Sequence, residues 1–375
     1  MHVIILCTVP SKNSQVEREL CNVARRKHMR AVRISAPENE REDYEALVTA
    51  ARLFYVEGLT QEKVAKELGL SQSSVSRLLE RARREGIVKA HIEPPRLLKL
   101  EAELRDKLTA KGIHTVYIVP GGGGKNTENL GLAGARTLAT LLCEAQEPTI
   151  RIAMSCGDTL LAVVDNLLNL LAMDAELTRC LRQKKLELYP SALYADNRLE
   201  ACYPHTIVSI LAIMMKRRDD TLDIEAHISS LPPDFYTKLA PKEMESYSSR
   251  YHIKDMIECA KQSQIFLLGI GDLKNKTYDR IQEQIGISIN KGEFISESNY
   301  IPIRKDGEQN KKIEGKLIAI KLDDFRKIAR QQDRYVIAIA GGEHKREAIE
   351  AALAKPYFNV LVTDERIARY LLEGR

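Results

Sequence analysis

Three short stretches of this 375-residue chain combine glycine with charge where an apolar run gives way to a helical one. "SCGDTL" sets Gly157, Asp158 and Thr159 ahead of the helical run "LAVVDNLLNLL". Backbone N–H groups there stand at a helix N-terminus, where the helix dipole favours an anion. "AGGEHKREAIEAALA" places Gly341 and Gly342 before another helix, the glycines allowing close approach and Lys345 offering a counter-charge. "GIGD", beginning at Gly269, closes a third run. A single glycine turn between strand and helix is commonplace. Two of them, one carrying a lysine, point to a phosphate-bearing small molecule.

Better-known chemical signatures are broken. In "GGGGKN" Val119 stands where the first glycine of GxxxxGK[ST] belongs, and Asn126 replaces Ser or Thr. "GIGDLK" puts Lys274 where a dinucleotide fingerprint needs its third glycine. No HExxH occurs, and His205, His227, His252 and His344 are far apart in sequence, so structural or surface roles suit them better than metal ligation. No nucleophile–base signature stands out, and neither a catalytic residue, a cofactor nor a metal is expected.

A second chemistry lies upstream, in "LTQEKVAKELGLSQSSVSRLLERARREGIV". Val64, Leu68, Leu70, Val75 and Leu78 are apolar at helical spacing, Ala65 is small, and Gly69 falls where a first helix must end. The pattern predicts a helix-turn-helix in which Thr60 caps the first helix, Ser71 caps the second and Gly69 takes a left-handed backbone. Ser71, Gln72, Ser73, Ser76 and Arg77 then face outward at the front of the second helix, hydrogen-bonding groups of little bulk that fit a major groove. Arg77 and Gln72 are candidates for base reading, since Arg can grip guanine and Gln adenine in bidentate fashion. Arg81, Arg83, Arg84 and Lys89 suit phosphates, each contact steepening the salt dependence by about 0.9 on a log–log scale. "EGIVKAHIE" reads as the wing of a winged helix, and Leu47, Ala51 and Phe54 as the inward face of a supporting helix.

The rest of the chain must present these two surfaces. Net charge is only +5, so the basic character is local, as in a specific DNA binder rather than a general polycation. Seven scattered cysteines without a CxxC pair argue against zinc and against a disulfide scaffold. No apolar run is long enough to span a bilayer, and "VIILCTV" is too short for a secretory signal; a reduced, cytoplasmic setting is expected.

Residues 1–43 form an N-terminal extension of uncertain status, readable as a small strand-helix-strand ("HVIILCTV", "SQVERELCNVARRKH", "RAVRI"), with Met29 an alternative start. The DNA-binding unit is expected over 44–93. After Pro94 and Pro95, residues 94–112 read as a linker helix with Leu97, Leu100, Leu104 and Leu108 on one face. From 113 to 375 short β-branched runs alternate with helical stretches: "HTVYIVP", "TIRIAMS", "KLELYPS", "QIFLLGIG", "KLIAIKL", "RYVIAIAGG" and "NVLVTD". That alternation predicts an α/β sheet, mainly parallel, with ligands beyond the carboxyl ends of its strands.

Taken together, "LFYVEGLTQEKVAKELGLSQSSVSRLLERARREGIV", "VYIVPG", "GDTL", "GIGD", "AIAGGEHKREAIEAALA" and "NVLVTDE" resemble the SorC family of bacterial sugar-responsive transcription regulators, from about Tyr44 to the end of the chain. The resemblance implies an α/β multidomain protein, with an N-terminal winged helix-turn-helix and a larger phosphosugar isomerase-like effector domain. It also implies operator DNA and a phosphorylated sugar as partners, and a homodimer or homotetramer. Carried over by position, Gly157, Asp158 and Thr159 fall in the family's phosphate-cradling turn and Lys345 matches its lysine after the double glycine. Glu297 falls where an acid accepts sugar hydroxyls, while Gly121 and Gly269 belong to "VYIVPG" and "GIGD". The chain departs from the family in "YPSALYADNRLEACYPHT", where Ala192 stands near the position of an arginine for a second phosphate. Two rivals share the fold: a phosphosugar isomerase or deaminase fused to a winged helix, with Asp158, Glu297, Asp364 and Glu365 as its acid–base candidates, and a DNA-binding oligomer that senses nothing.

Overall fold

A computed structural model describes residues 3–7, 38–92, 96–121, 126–193, 203–229, 231, 235–236, 238–273 and 276–374. They divide into two compact units, Met1–Glu93 and Pro94–Arg375.

In the first unit, helix Glu38–Ala51 runs into a π-helical turn, Arg52–Val56, and then come helices Gln61–Leu68 and Gln72–Arg84. The side chain of Thr60 accepts the Lys63 N–H and that of Ser71 accepts the Ser74 N–H, while Gly69 closes the first helix at φ 64°. A left-handed residue there costs glycine nothing sterically, and it lets the chain turn sharply into the second helix. Leu47, Ala50, Ala51, Val64, Ala65, Val75, Leu79 and Ala82 are buried between the helices. The inward row of the second helix is therefore Val75, Leu79 and Ala82, at i, i+4 and i+7. Leu68 and Leu78 are only half-buried. Leu70, expected inside, is exposed because it sits in the turn beyond Gly69.

The wing strand is β2, Val88–Ile92, and its antiparallel neighbour is β1, Val3–Cys7, in the register Val3↔Ile92 to Cys7↔Val88. The start of the chain thus belongs to this unit. The expected helix "SQVERELCNVARRKH" and strand "RAVRI" lie outside the described residues.

The second unit is built on seven parallel strands, β3 (Thr115–Val119), β4 (Thr149–Met154), β5 (Lys185–Pro190), β6 (Asp223–Ala226), β7 (Ile265–Gly269), β11 (Tyr335–Ile339) and β12 (Val360–Asp364). Their order is β3-β12-β11-β7-β4-β5-β6. Continuous apolar runs such as Ile265–Gly269, buried at its first four residues, suit a sheet covered on both faces. One face packs under helices Asn126–Glu144, Asp158–Met173 and Pro204–Arg218, with Leu138, Leu160, Val163 and Ile207 in that core. The other face packs under helices Leu98–Thr109, Ile253–Lys261, Arg346–Ala354 and Glu365–Glu373, with Leu104, Phe266, Ile349 and Ile367. The order in which strands are added reverses between the parallel neighbours β4 and β7, the place where open α/β sheets form a ligand crevice.

Two departures from expectation have physical causes. "KLIAIKL" adds no strand to the large sheet. It passes between helices Lys311–Lys316 and Leu322–Ile328 and meets residues 191–193 through one bridge, Ala192↔Ala319, and two backbone bonds, Leu193 N–H to Ile318 O and Ile320 N–H to Ser191 O. Its apolar residues are buried by packing, which a buried coil shares with a strand. A small antiparallel sheet of β8 (Gly271–Asp272), β9 (Phe294–Ser298) and β10 (Ile301–Arg304) was not apparent in the pattern, nor was the four-residue edge strand β6.

Candidate functional site

Loops at the carboxyl ends of β3, β4, β7, β11 and β12 enclose a cavity of about 840 Å³. It brings together all nine effector candidates read from the sequence: Gly121, Gly157, Asp158, Thr159, Gly269, Glu297, Gly341, Gly342 and Lys345.

Backbone geometry explains several of the glycines. Gly157 sits at φ 119°, ψ 156° directly before helix Asp158–Met173, a conformation closed to residues with a β-carbon. The Leu160 N–H already bonds the Gly157 carbonyl at 3.0 Å, which leaves the N–H groups of Asp158 and Thr159 for an anion at the cavity edge. Gly269 brings β7 close to the β4 loop, since an added Cβ would stand 3.3 Å from the Cys156 carbonyl oxygen. At Gly121 a Cβ would press on Arg366, 3.1 Å from its Cγ. Asp158 is exposed and Thr159 half-buried.

Glu297, on β9, forms the wall opposite. Its Oε2 accepts the Tyr300 N–H at 3.2 Å. Burial pushes its carboxyl up to about 7, with Asp272 adding to the rise while the Lys345 cation and the Tyr300 N–H oppose it. Near neutral pH the group can therefore donate or accept a hydrogen bond, as a polyhydroxylated ligand requires. Lys345 is the cation that faces it.

The turn that carries Glu297 is held from behind. Asn299 and Tyr300 both adopt positive φ, 53° and 66°. The buried Asn299 amide accepts from Ser155 Oγ (3.0 Å) and Ser191 Oγ (2.7 Å), and donates to the carbonyls of Ser191 (3.2 Å) and Ile320 (2.9 Å). Asparagine tolerates the left-handed region better than most residues, and here its side chain has its full set of partners.

Asp364 is read from the sequence only as an acid–base candidate of the rival enzyme. Buried at the end of β12, it accepts from Asn126 Nδ2 at 3.0 Å, from the Gly342 N–H and, through its other oxygen, from the Ile367 N–H at 3.0 Å. A Cβ at Gly341 would overlap its carboxylate, and one at Gly271 would overlap that of Glu297. Tyr203, Ile270, Tyr278 and Ile281 give the cavity an apolar side. Positional glycines were visible as letters; their carboxylate neighbours come from strands far off in sequence and left no local signal.

Elsewhere in the unit, Glu187, Glu225 and His227 hold potential ligand atoms within 4.8 Å of one another. Lys185 Nζ already stands 3.1 Å from Glu187 and 2.7 Å from Glu225, and Arg151 Nε 2.7 Å from Glu187. Fixed cations fill the role a metal ion would take.

In the first unit, Ser71, Gln72, Ser73, Ser76, Arg77 and Arg84 are exposed on helix Gln72–Arg84, as is Thr60 before the preceding helix. Arg81 is partly engaged, its Nε 2.6 Å from Glu85, and Arg83 donates to the Tyr55 hydroxyl at 2.6 Å. The side chain of Lys89 lies outside the described residues.

Comparison with known proteins agrees with this geometry. The family described as "Putative sugar-binding domain" matches residues 222–373, and the sigma-70 region 4 family matches residues 51–85. The sorbitol operon regulator of Klebsiella pneumoniae is 26% identical over 340 residues, covering 88% of this chain and 99% of that protein. The transcriptional regulator LsrR of Enterobacter sp. (strain 638) is 23% identical over 351 residues, covering 88% and 93%. Among solved structures, full-length SorC from K. pneumoniae superposes with a TM-score of 0.56 at 23% identity, covering 88% of this chain and 99% of that one. The structure described as "Probable sor Operon Regulator" from Shigella flexneri gives 0.54 at 23% identity, covering 73% and 99%. A helix-turn-helix region followed by an α/β unit with a mainly parallel sheet is the arrangement this chain shares with these transcription regulators. Among such regulators the chain resembles the SorC family, from the helix-turn-helix to its last helix.

Proposed function

We propose that the chain is a DNA-binding transcription regulator whose α/β unit takes a small, phosphorylated, sugar-like metabolite, and that occupancy changes operator binding through the arrangement of a homodimer or homotetramer. The observation that carries the reading is convergence: nine residues from separate segments of the chain meet in one cavity, with a helix N-terminus and Lys345 for an anion and Glu297 for hydroxyls. The exposed Ser, Gln and Arg face of helix Gln72–Arg84 serves as the operator reader, with Arg77 and Gln72 on base edges and Arg81, Arg84 and Lys89 on backbone phosphates. The setting is the cytoplasm; among the described residues no helix is long and apolar enough to cross a membrane.

A catalytic role is disfavoured by how two of its four acidic candidates are used. Asp364 is committed to backbone and amide donors on both oxygens, and Glu365 pairs with Arg369 at 2.7 Å. The test is footprinting of DNA upstream of the chain's own gene, with and without a panel of sugars and sugar phosphates. Protection that changes with one of them supports the reading; no protected site in either state defeats it. Glu297→Gln separates sensor from enzyme, since a sensor keeps DNA binding while losing ligand response.

A further inference from the structure

Asp364 is a hub with two sides. One oxygen faces the cavity, where it holds the Gly342 N–H and the Asn126 amide. The other caps helix Glu365–Glu373 through the Ile367 N–H at 3.0 Å. The carboxylate is 1% exposed. Water therefore cannot readily replace any bond it loses.

Helix Glu365–Glu373 is in turn fastened to helix Leu98–Thr109. Ile367 and Ala368 share a core with Leu104 and Leu108. Lys107 Nζ donates to the carbonyls of Leu371 (2.8 Å) and Leu372 (3.1 Å), where the helix leaves its last carbonyls unpaired. Helix Leu98–Thr109 is the first helix of the α/β unit after the chain leaves Met1–Glu93. Its start is fixed as well: the buried Glu101 pairs with Arg96 at 2.6 Å and accepts the Ile118 N–H of β3 at 3.0 Å.

The geometry points to Asp364 as the positioning residue that passes the state of the Gly341–Gly342 turn to helix Glu365–Glu373 and so to helix Leu98–Thr109, the segment leading from the DNA-binding unit. A ligand that draws on the turn changes what Asp364 must hold on its cavity side, and the cap on its other side shifts with it. Loss of an N-cap is worth about fivefold in an equilibrium, at the lower end of the 5- to 150-fold range typical of allosteric coupling. The link deepens the proposed function and rests on it only for the meaning of the signal, since the mechanical connection is a property of the free chain.

Hydrogen exchange on the full-length chain, without ligand, tests that connection. Asp364→Ala is expected to speed exchange about fivefold both at Gly341–Gly342 and along Leu98–Thr109, while β7 stays protected. Change confined to the turn and to residues 365–367 would overturn the proposal. Asp364→Asn covers the case in which the alanine variant fails to fold. Asn keeps a cap acceptor but turns a donor toward Gly342 N–H and Asn126 Nδ2, so exchange should rise at the turn and, through the shifted cap, along Leu98–Thr109 while β7 stays protected; a rise at the turn alone, or an equal rise in β7, would sink the relay. In a second arm, sorbitol 6-phosphate and other sugar phosphates are added to the wild type. If none shifts its melting temperature, the effector reading fails, while the exchange result still decides the relay.

Discussion

The carboxylate of Glu297 occupies the space that a β-carbon at Gly271 would need. Gly271 and Glu297 are cross-strand partners between β8 and β9, so neither can move far without breaking the pairing. Gly271→Ala is therefore expected to push Glu297 out of its place and weaken effector binding at least tenfold, with the melting temperature lowered by only a few degrees. Calorimetric titration with the ligand found by the panel measures the first, and a thermal melt the second. Unchanged affinity would show that Glu297 is not a contact.

The same residue predicts a pH dependence. Its carboxyl lies at about 7 in the folded chain against 4.5 for the ordinary group, so the folded state binds the proton more tightly than the unfolded chain does. Stability should then fall as pH rises from about 4.5 to about 7, and the penalty, at most about 3 kcal/mol, should be complete above that window. Urea unfolding at pH 5 and pH 8 should show the drop in the wild type and a smaller one in Glu297→Gln.

On the DNA side, Arg77→Ala should cost about 1–3 kcal/mol on the cognate operator and relax specificity at one base position. Arg84→Ala should weaken binding alike on all sequences and reduce the salt slope by about 1. Arg81→Ala should do less, since Glu85 already holds that guanidinium. Fluorescence anisotropy across a salt series separates the three.

Ser71 both caps its helix and faces outward. Ser71→Asp keeps a cap acceptor, so the chain should melt within a degree or two of the wild type, yet the added charge should repel phosphate and lower DNA affinity. Ser71→Ala should lose about 1 kcal/mol of stability instead. Equal effects of the two changes on DNA binding would mean that Ser71 acts only through the fold.

The contrast between what the letters disclosed and what they hid has a physical basis. Thr60, Gly69 and Ser71 were readable because caps and left-handed turns are decided within four or five residues. Gly157 and Gly342 were readable because a strand-to-helix turn with a glycine carries its own local signature. Asp364 was seen only as an acid, for its partners Asn126 and Gly342 are 238 and 22 residues away. "KLIAIKL" was mistaken for a sheet strand because burial, not pairing, selects its apolar residues, and the small sheet around Glu297 was missed because its strands are short and one has only two residues.

The Asn299 amide, with its two serine hydroxyls and two carbonyls, bears on how the receptor meets its guest. A wall clamped in that way has already surrendered its conformational freedom during folding, so an arriving molecule pays little entropy to order it. Selectivity then resembles fit to a mould: compounds of the wrong outline are turned away at encounter, because the cleft cannot be reshaped around them.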